Sequence, residues 1–365
     1  MRECALAVGL FVSARRFPGW RPTPAALTPT ISDHPGSVLS VLRSPGSFLN
    51  PSARWRHRLL VMAALLAGMA AAPGFAKTAV VLNSDEDTFS IIDTETYKET
   101  ARTHIGRQPH HLIATPDQKI LIIANAGGND LVFIDRATGT VQQRVEVSDP
   151  YQVGFSPDAK WFVSNSLRLD RIDLYNAANY QLVHRLPAPK TPSHIGFSPD
   201  SSTAYVSLQG TGQLIAVDLV SGQQKWVAPI GKQPAGVFVR PSGNVLVAIM
   251  GADHIVEVDP RDGNVIRRIK TDRGAHNFLL SPDGKTLYVS NRVAGTVSAL
   301  DAEKLETNAT FAAPGGPDDM AWSPDGKELW ITGRWRASVD VLDRDTGALK
   351  TRIPVGRSPH GIFVY

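Results

Sequence analysis

A tight-turn signature that returns every 41 or 42 residues, four short strand patterns in each interval, and incomplete units at both ends predict an all-β fold. The fold class is a seven-bladed β-propeller with four-stranded antiparallel blades, the last closed by N- and C-terminal strands. Ser-Pro-Asp-Gly and its variants recur at Pro116, Pro157, Pro199, Pro241, Pro282 and Pro324. Seven residues before each stands a second marker, at Pro109, Pro150, Pro192, Pro234, Ala275 and Pro317, and Pro359 begins one more unit.

Within a unit, the first strand follows the marker and is apolar at alternate places, as at Ile195 and Phe197 or Met320 and Trp322. Pro then sets φ near −65° for a tight turn whose last position suits Gly. The second strand reads Tyr288-Val-Ser-Asn291, with Phe162–Asn165 and Tyr205–Leu208 as relatives. A loop leads to the third strand, such as Leu131–Asp135 or Leu214–Asp218, and an Asp-to-Gly turn (Asp135–Gly139, Asp218–Gly222) leads to a fourth, such as Val265–Ile269. Six whole units span about 106–355, so Gly356–Tyr365 holds only a first strand. Thr78–Ile105 supplies the three strands it lacks, and pairing the two ends leaves no exposed sheet edge.

The first 76 residues differ in composition. They hold eight Arg, no Lys, and only Glu3 and Asp33 as acids, which leaves 30 basic and 32 acidic residues in 77–365. The body is thus close to neutral, and no overall basic field for nucleic acid is expected. Arg54, Arg56 and Arg58, an apolar run from Leu59 to Ala72, and Gly74-Phe75-Ala76 form a signal peptide over 54–76, with cleavage before Lys77. Residues 1–53 read as a disordered extension or a mis-assigned start. The expected product is soluble, periplasmic or secreted, monomeric, and without a transmembrane segment once the signal is removed. Cys4 is the only cysteine, so 77–365 offers no disulfide, thiolate ligand or CxxCH attachment for covalent haem.

The Tyr-Val-Ser-Asn strands, the Ser-Pro-Asp-Gly turns and the Pro-His-Gly type strand starts resemble the YVTN family of β-propeller repeat proteins. The resemblance covers 77–365 and implies the fold. For function it implies a range: YncE-like periplasmic proteins, propellers associated with PQQ-dependent catabolism, cytochrome d1-like domains and lactonases. The blades depart from the pattern at Leu208, Met250 and Gly333, where Asn is expected.

The turns on one face are short and stereotyped, whereas the loops on the other vary, which is where function usually sits. Two residues before the marker stand Arg107, Lys190, Lys232, Arg273 and Arg357, and one or two after it stand His110, His111, His194, His276 and His360. The other units offer Tyr151, Gln152, Asp318 and Asp319, and the variable loops add Asn125, Asn165, Arg168, Asn291, Arg292, Arg334, Trp335 and Arg336. Ring closure should bring the strand-start residues to one channel mouth.

Three readings of that mouth stand side by side. The histidines cap backbone groups at the blade entrance. Alternatively, His110, His194, His276 and His360 hold a metal ion, for which imidazole suits Zn, Cu or Fe. In the third, the basic residues hold an anion, with binding that follows the ordinary His pKa of about 6.5. Trp330 and Trp335 are candidates for stacking a ligand, although Trp at strand ends commonly packs between blades. Adjacent strand residues such as Asp318 and Asp319 point apart, which argues against a shared catalytic role. The leading expectation is a non-catalytic propeller presenting a basic, His-rich mouth to an anionic small molecule or a periplasmic partner protein. The alternatives are a metal- or haem-dependent enzyme of the cytochrome d1-like kind and a lactonase, both by resemblance alone.

Overall fold

The computed structural model describes residues 77–188 and 190–365, and the signal peptide and extension expected over 1–76 lie outside them. The described residues form seven four-stranded antiparallel sheets and no helix, so no helix among them is long and apolar enough to cross a membrane. The innermost strands are Pro109–Ala114, Pro150–Phe155, Pro192–Phe197, Pro234–Val239, Ala275–Leu280, Pro317–Trp322 and Pro359–Val364, so every marker residue opens one. Pro359–Val364 pairs antiparallel with Thr78–Asn83, followed outward by Thr88–Asp93 and Lys98–His104, which is the expected closure by both ends.

The repeat folds this way because each sheet is apolar on both faces except at its rim. The second strands are almost wholly buried, as in Thr78–Asn83 and Thr203–Leu208, whereas an outermost strand such as Lys98–His104 is mostly exposed. Seven apolar clusters follow, each shared by two neighbouring blades. One of them joins the last blade to the closing one through Trp330, Val339 and Val341 against Ala79, Val81 and Ile92. Trp330 is therefore inter-blade packing, with its indole N–H donated to Glu328 at 3.1 Å.

The turns are set locally. Asp135 Oδ1 accepts from the backbone N–H groups of Ala137 and Thr138 at 2.9 and 2.8 Å, and Gly139 follows at φ 69°. In the Ser-Pro-Asp-Gly turns Gly284 and Gly326 take φ 71° and 68°, and Gln118, Ala159 and Ser201 are held at 62°, 58° and 59° in the same place.

Candidate functional site

In each blade the innermost strand slips register just past its marker, for example between Ala275 and Phe278 and between Pro317 and Met320. Such a bulge frees backbone groups and re-aims side chains. The hydroxyl of the Tyr-Val-Ser-Asn strands takes up the freed groups. Ser207, Ser290 and Thr332 accept from the N–H of His194, Asn277 and Asp319 at 3.0, 3.1 and 3.0 Å. Ser290 and Thr332 also donate to the carbonyls of Asp318 and His360 in the next blade, both at 2.9 Å. One small polar residue thus secures the bulge and ties neighbouring blades at the depth where the histidines stand.

All five histidines of the strand starts meet at the centre. His110 lies against His360 with centroids 3.7 Å apart and rings tilted by 39°, and His111 lies 4.6 Å from His110 and 4.7 Å from His360. His194 follows at 5.6 Å from His111, His276 at 5.1 Å from His194, and His276 returns to His360 at 6.4 Å. Ligand atoms of His110, His111 and His360 lie within 4.8 Å of one another. The structure therefore groups His110 with His111 and His360, while His194 and His276 complete the circle outside that triad. Tyr151 lies against His110 at 4.0 Å with the rings tilted by 34°.

This cluster is a closed layer beneath the mouth, with the histidines 0 to 7% exposed. Burial is the main cause that pushes His110, His194, His276 and His360 below the ordinary value, and it takes His111 to about 4. Proton uptake near pH 6.5, expected for open histidines, is thereby displaced to more acidic conditions. Asp318 behaves oppositely. Burial opposes its ionisation, but Arg292 foremost, then His360 and His276, hold its carboxyl well below the usual range. Arg292 donates to Asp318 at 2.6 Å and to His276 Nε2 at 2.7 Å, and Arg334 donates to Asp318 at 3.2 Å. Asp319 takes a separate partner, the Asn277 side-chain amide. Burial first, then the Asp318 charge, push it up to about 7.

Above this layer lies the rim. Arg107, Lys190, Lys232, Arg273 and Arg357 are all exposed, and only Arg357 has an acidic neighbour, Glu86 at 3.7 Å, among the described residues. Trp335 is 63% exposed and lies across Gly316, beside exposed Arg336. Asn125, Asn165 and Asn291 were expected on the same face but are fully buried; Asn291, for instance, donates to Ser298 at 2.9 Å. A cleft of about 170 Å³ descends from the rim, lined by Ser84, Gln108, His110, Tyr151, Arg168 and Arg334 among others.

A family model described as the YncE-like β-propeller matches residues 53–365. The chain belongs to the YncE-like β-propeller family. Among curated proteins it is 23% identical to a 6-phosphogluconolactonase of Bacillus subtilis, over 54% of this chain and 67% of that protein. It is 22% identical to protein NirF of Pseudomonas aeruginosa, over 64% of this chain and 66% of that one. The chain spans between 44% and 67% of the lengths of the curated relatives it matches. Among solved structures, the dihydro-heme d1 dehydrogenase NirN in complex with DHE aligns at a TM-score of 0.61 and 16% identity, over 82% of this chain and 78% of that one. At that identity the likeness is one of fold.

In this YncE-like chain, Asp319 gives a pH dependence of known sign. The unfolded carboxyl releases its proton near pH 3.9, whereas the folded one keeps it up to about 7. Between those values the folded state binds more protons, so the contribution is full at low pH and is lost as pH rises through 7. Asp319→Asn, a neutral mimic of the protonated acid, should leave the melting temperature nearly unchanged at pH 4.5 and raise it at pH 8. Calorimetry of both proteins across that range checks this, and parallel curves would refute it.

Proposed function

We propose that the chain is an exported, non-catalytic binding propeller whose rim presents unpaired positive charge to a small anion or to an acidic patch on a partner protein. The observation that carries this reading is the rim itself: Arg107, Lys190, Lys232 and Arg273 have no ion-pair partner among the described residues. Two acids of the same face are paired with arginines outside the rim, Glu86 with Arg102 at 3.1 Å and Asp130 with Arg144 at 2.7 Å, whereas Asp253 stays 56% exposed. The signal-like segment ending at Ala76 supports export.

The name of NirN, a dihydro-heme d1 dehydrogenase, favours a second reading, an iron tetrapyrrole as ligand. Pockets for drug-sized ligands run from about 300 Å³ upward. The cleft of about 170 Å³ that reaches His110 suits phosphate or a carboxylate side chain better than a macrocycle, whereas the open clefts beside Arg107 and beside Lys232 and Arg273 are larger, about 610 and 440 Å³. Visible absorbance above about 350 nm in native protein would favour the tetrapyrrole.

The test uses chain recovered from the periplasm, whose amino terminus at or near Lys77 checks export at the same time. The probes are inorganic phosphate and a poly-glutamate peptide, titrated at low and physiological salt. Reversal of Arg107, Lys232 and Arg273 to Glu should weaken binding at least about tenfold. Melting should change little, because exposed unpaired residues contribute within about 0.5 kcal/mol each. Equal binding by the reversed protein, or no binding of either probe by the wild type, overturns the proposal.

A further inference from the structure

We propose that His110, His111 and His360 form a metal centre for a borderline transition-metal ion of the Zn²⁺ or Cu²⁺ class, set beneath the rim. Two neighbouring innermost strands supply it, Pro109–Ala114 and Pro359–Val364, so it exists only in the closed ring. The inference is independent of the anion reading of the rim.

Donor chemistry is the first support. His111 Nδ1 lies 2.8 Å from His110 Nδ1 and 2.9 Å from the Tyr151 carbonyl oxygen. A carbonyl only accepts, so the proton sits on His111 Nδ1. His110 Nδ1 then carries no proton and accepts from His111 Nδ1–H, and His111 Nε2 is the unprotonated nitrogen of its own ring. His111 Nε2 is buried without a hydrogen-bond partner among the described residues, as are both ring nitrogens of His360. A buried imidazole with neither nitrogen bonded is costly, and a metal ion on one of them removes much of that cost.

The second support is the surroundings. His360 Nε2 lies 3.6 Å from Asp318 Oδ2, too far for a hydrogen bond, so the carboxylate stands beside the triad as a negative charge that favours a bound cation. Three donor nitrogens within 4.8 Å of one another stand at most about 2.8 Å from a common centre, so each need move inward by less than about 1 Å to reach Zn–N or Cu–N distances near 2.1 Å. Three imidazoles without carboxylate oxygen in the set favour Zn²⁺ or Cu²⁺ over Mg²⁺ or Ca²⁺. The cleft past His110, Tyr151 and Arg334 offers a route to an open fourth position.

The folded chain, stripped with a chelator, is titrated with Zn²⁺ by calorimetry and with Co²⁺ by visible spectroscopy. Wild type should take up one equivalent of Zn²⁺ and show the intense bands of four-coordinate Co²⁺, which an ion held loosely at the surface lacks. His111→Gln and His360→Gln should lose both signals, whereas His194→Gln should keep them. His110→Gln serves as a further variant should His360→Gln fold poorly, and the wild-type cobalt spectrum needs no variant at all. No cobalt bands in wild type, binding that survives in His111→Gln, or its loss in His194→Gln would each overturn the assignment.

Discussion

Removal of Gly356–Tyr365 should abolish cooperative folding, or lower the melting temperature by more than about 15 °C. The ten residues contain the whole innermost strand of the closing blade, paired from Ala79↔Val364 to Asn83↔Pro359. Their loss uncovers Thr78–Asn83, all six residues of which are buried, and takes Ile362 out of the cluster around Trp330. It also removes the His360 ring from His110, and the stacking of Arg136 on Phe363 and Tyr365 at 5.0 and 4.6 Å. Fully burying one apolar side chain stabilises by about 1.5–3 kcal/mol, and each ladder hydrogen bond adds about 1 kcal/mol. A handful of each approaches the roughly 5–15 kcal/mol that holds a whole domain together. A synthetic peptide of the missing residues, added in trans, should restore part of the transition by completing the open sheet. Melting within about 3 °C of the intact chain would show that the blades stand without the closure.

The sequence shows the propeller clearly because the repeat unit carries its own local chemistry. Pro and Gly mark turns, alternation marks strands, and the fractional unit at each end specifies the closure. The strand-start histidines were legible for the same reason, since one repeat position becomes one depth around the axis. What the sequence conceals is distance within that depth. Nothing in the spacing says that His110 pairs with His111 and His360 while His194 and His276 lie outside the triad, because this depends on which way each bulge turns a ring. Burial was equally hidden. An innermost-strand histidine is open or enclosed according to what neighbouring blades contribute, here Tyr151, Arg292, Arg334 and Asp318. The Ser of the Tyr-Val-Ser-Asn strand left a readable signal: a small hydroxyl recurs at a buried place where an apolar residue would pack better, as at Ser207, Ser290 and Thr332. The asparagines beside it mislead, because a polar residue at a strand end suggests a surface ligand, whereas Asn83 and Asn291 donate to serine hydroxyls inside the blade at 2.9 Å.

Asp318→Ala should destabilise the protein by about 3–5 kcal/mol, because it removes the anion from a buried charge cluster and leaves the cations behind. Asp318 is fully buried, and Arg292 reaches it at 2.6 Å with a side chain only 15% exposed. Without the carboxylate, that guanidinium keeps His276 Nε2 and Met250 Sδ as side-chain partners, and neither carries a compensating charge. Arg334, at 25% exposure, has a shorter path to water and loses less. For a domain of this size each kcal/mol corresponds to about 2–4 °C, so the melting temperature should fall by roughly 10 °C. Asp340 provides the contrast within the same blade. It is bonded by Arg352 at 2.6 and 2.7 Å, but that arginine is 31% exposed, so Asp340→Ala should cost distinctly less. The decisive comparison is the double variant Asp318→Leu with Arg292→Met. If the single variant is weakened by a stranded charge, removing the charge as well should recover most of the loss, since an apolar pair of similar volume often replaces a buried ion pair at little cost. A double variant as unstable as the single one would mean instead that Asp318 acts by shaping the bulged strand, and the electrostatic account of the cluster would fall.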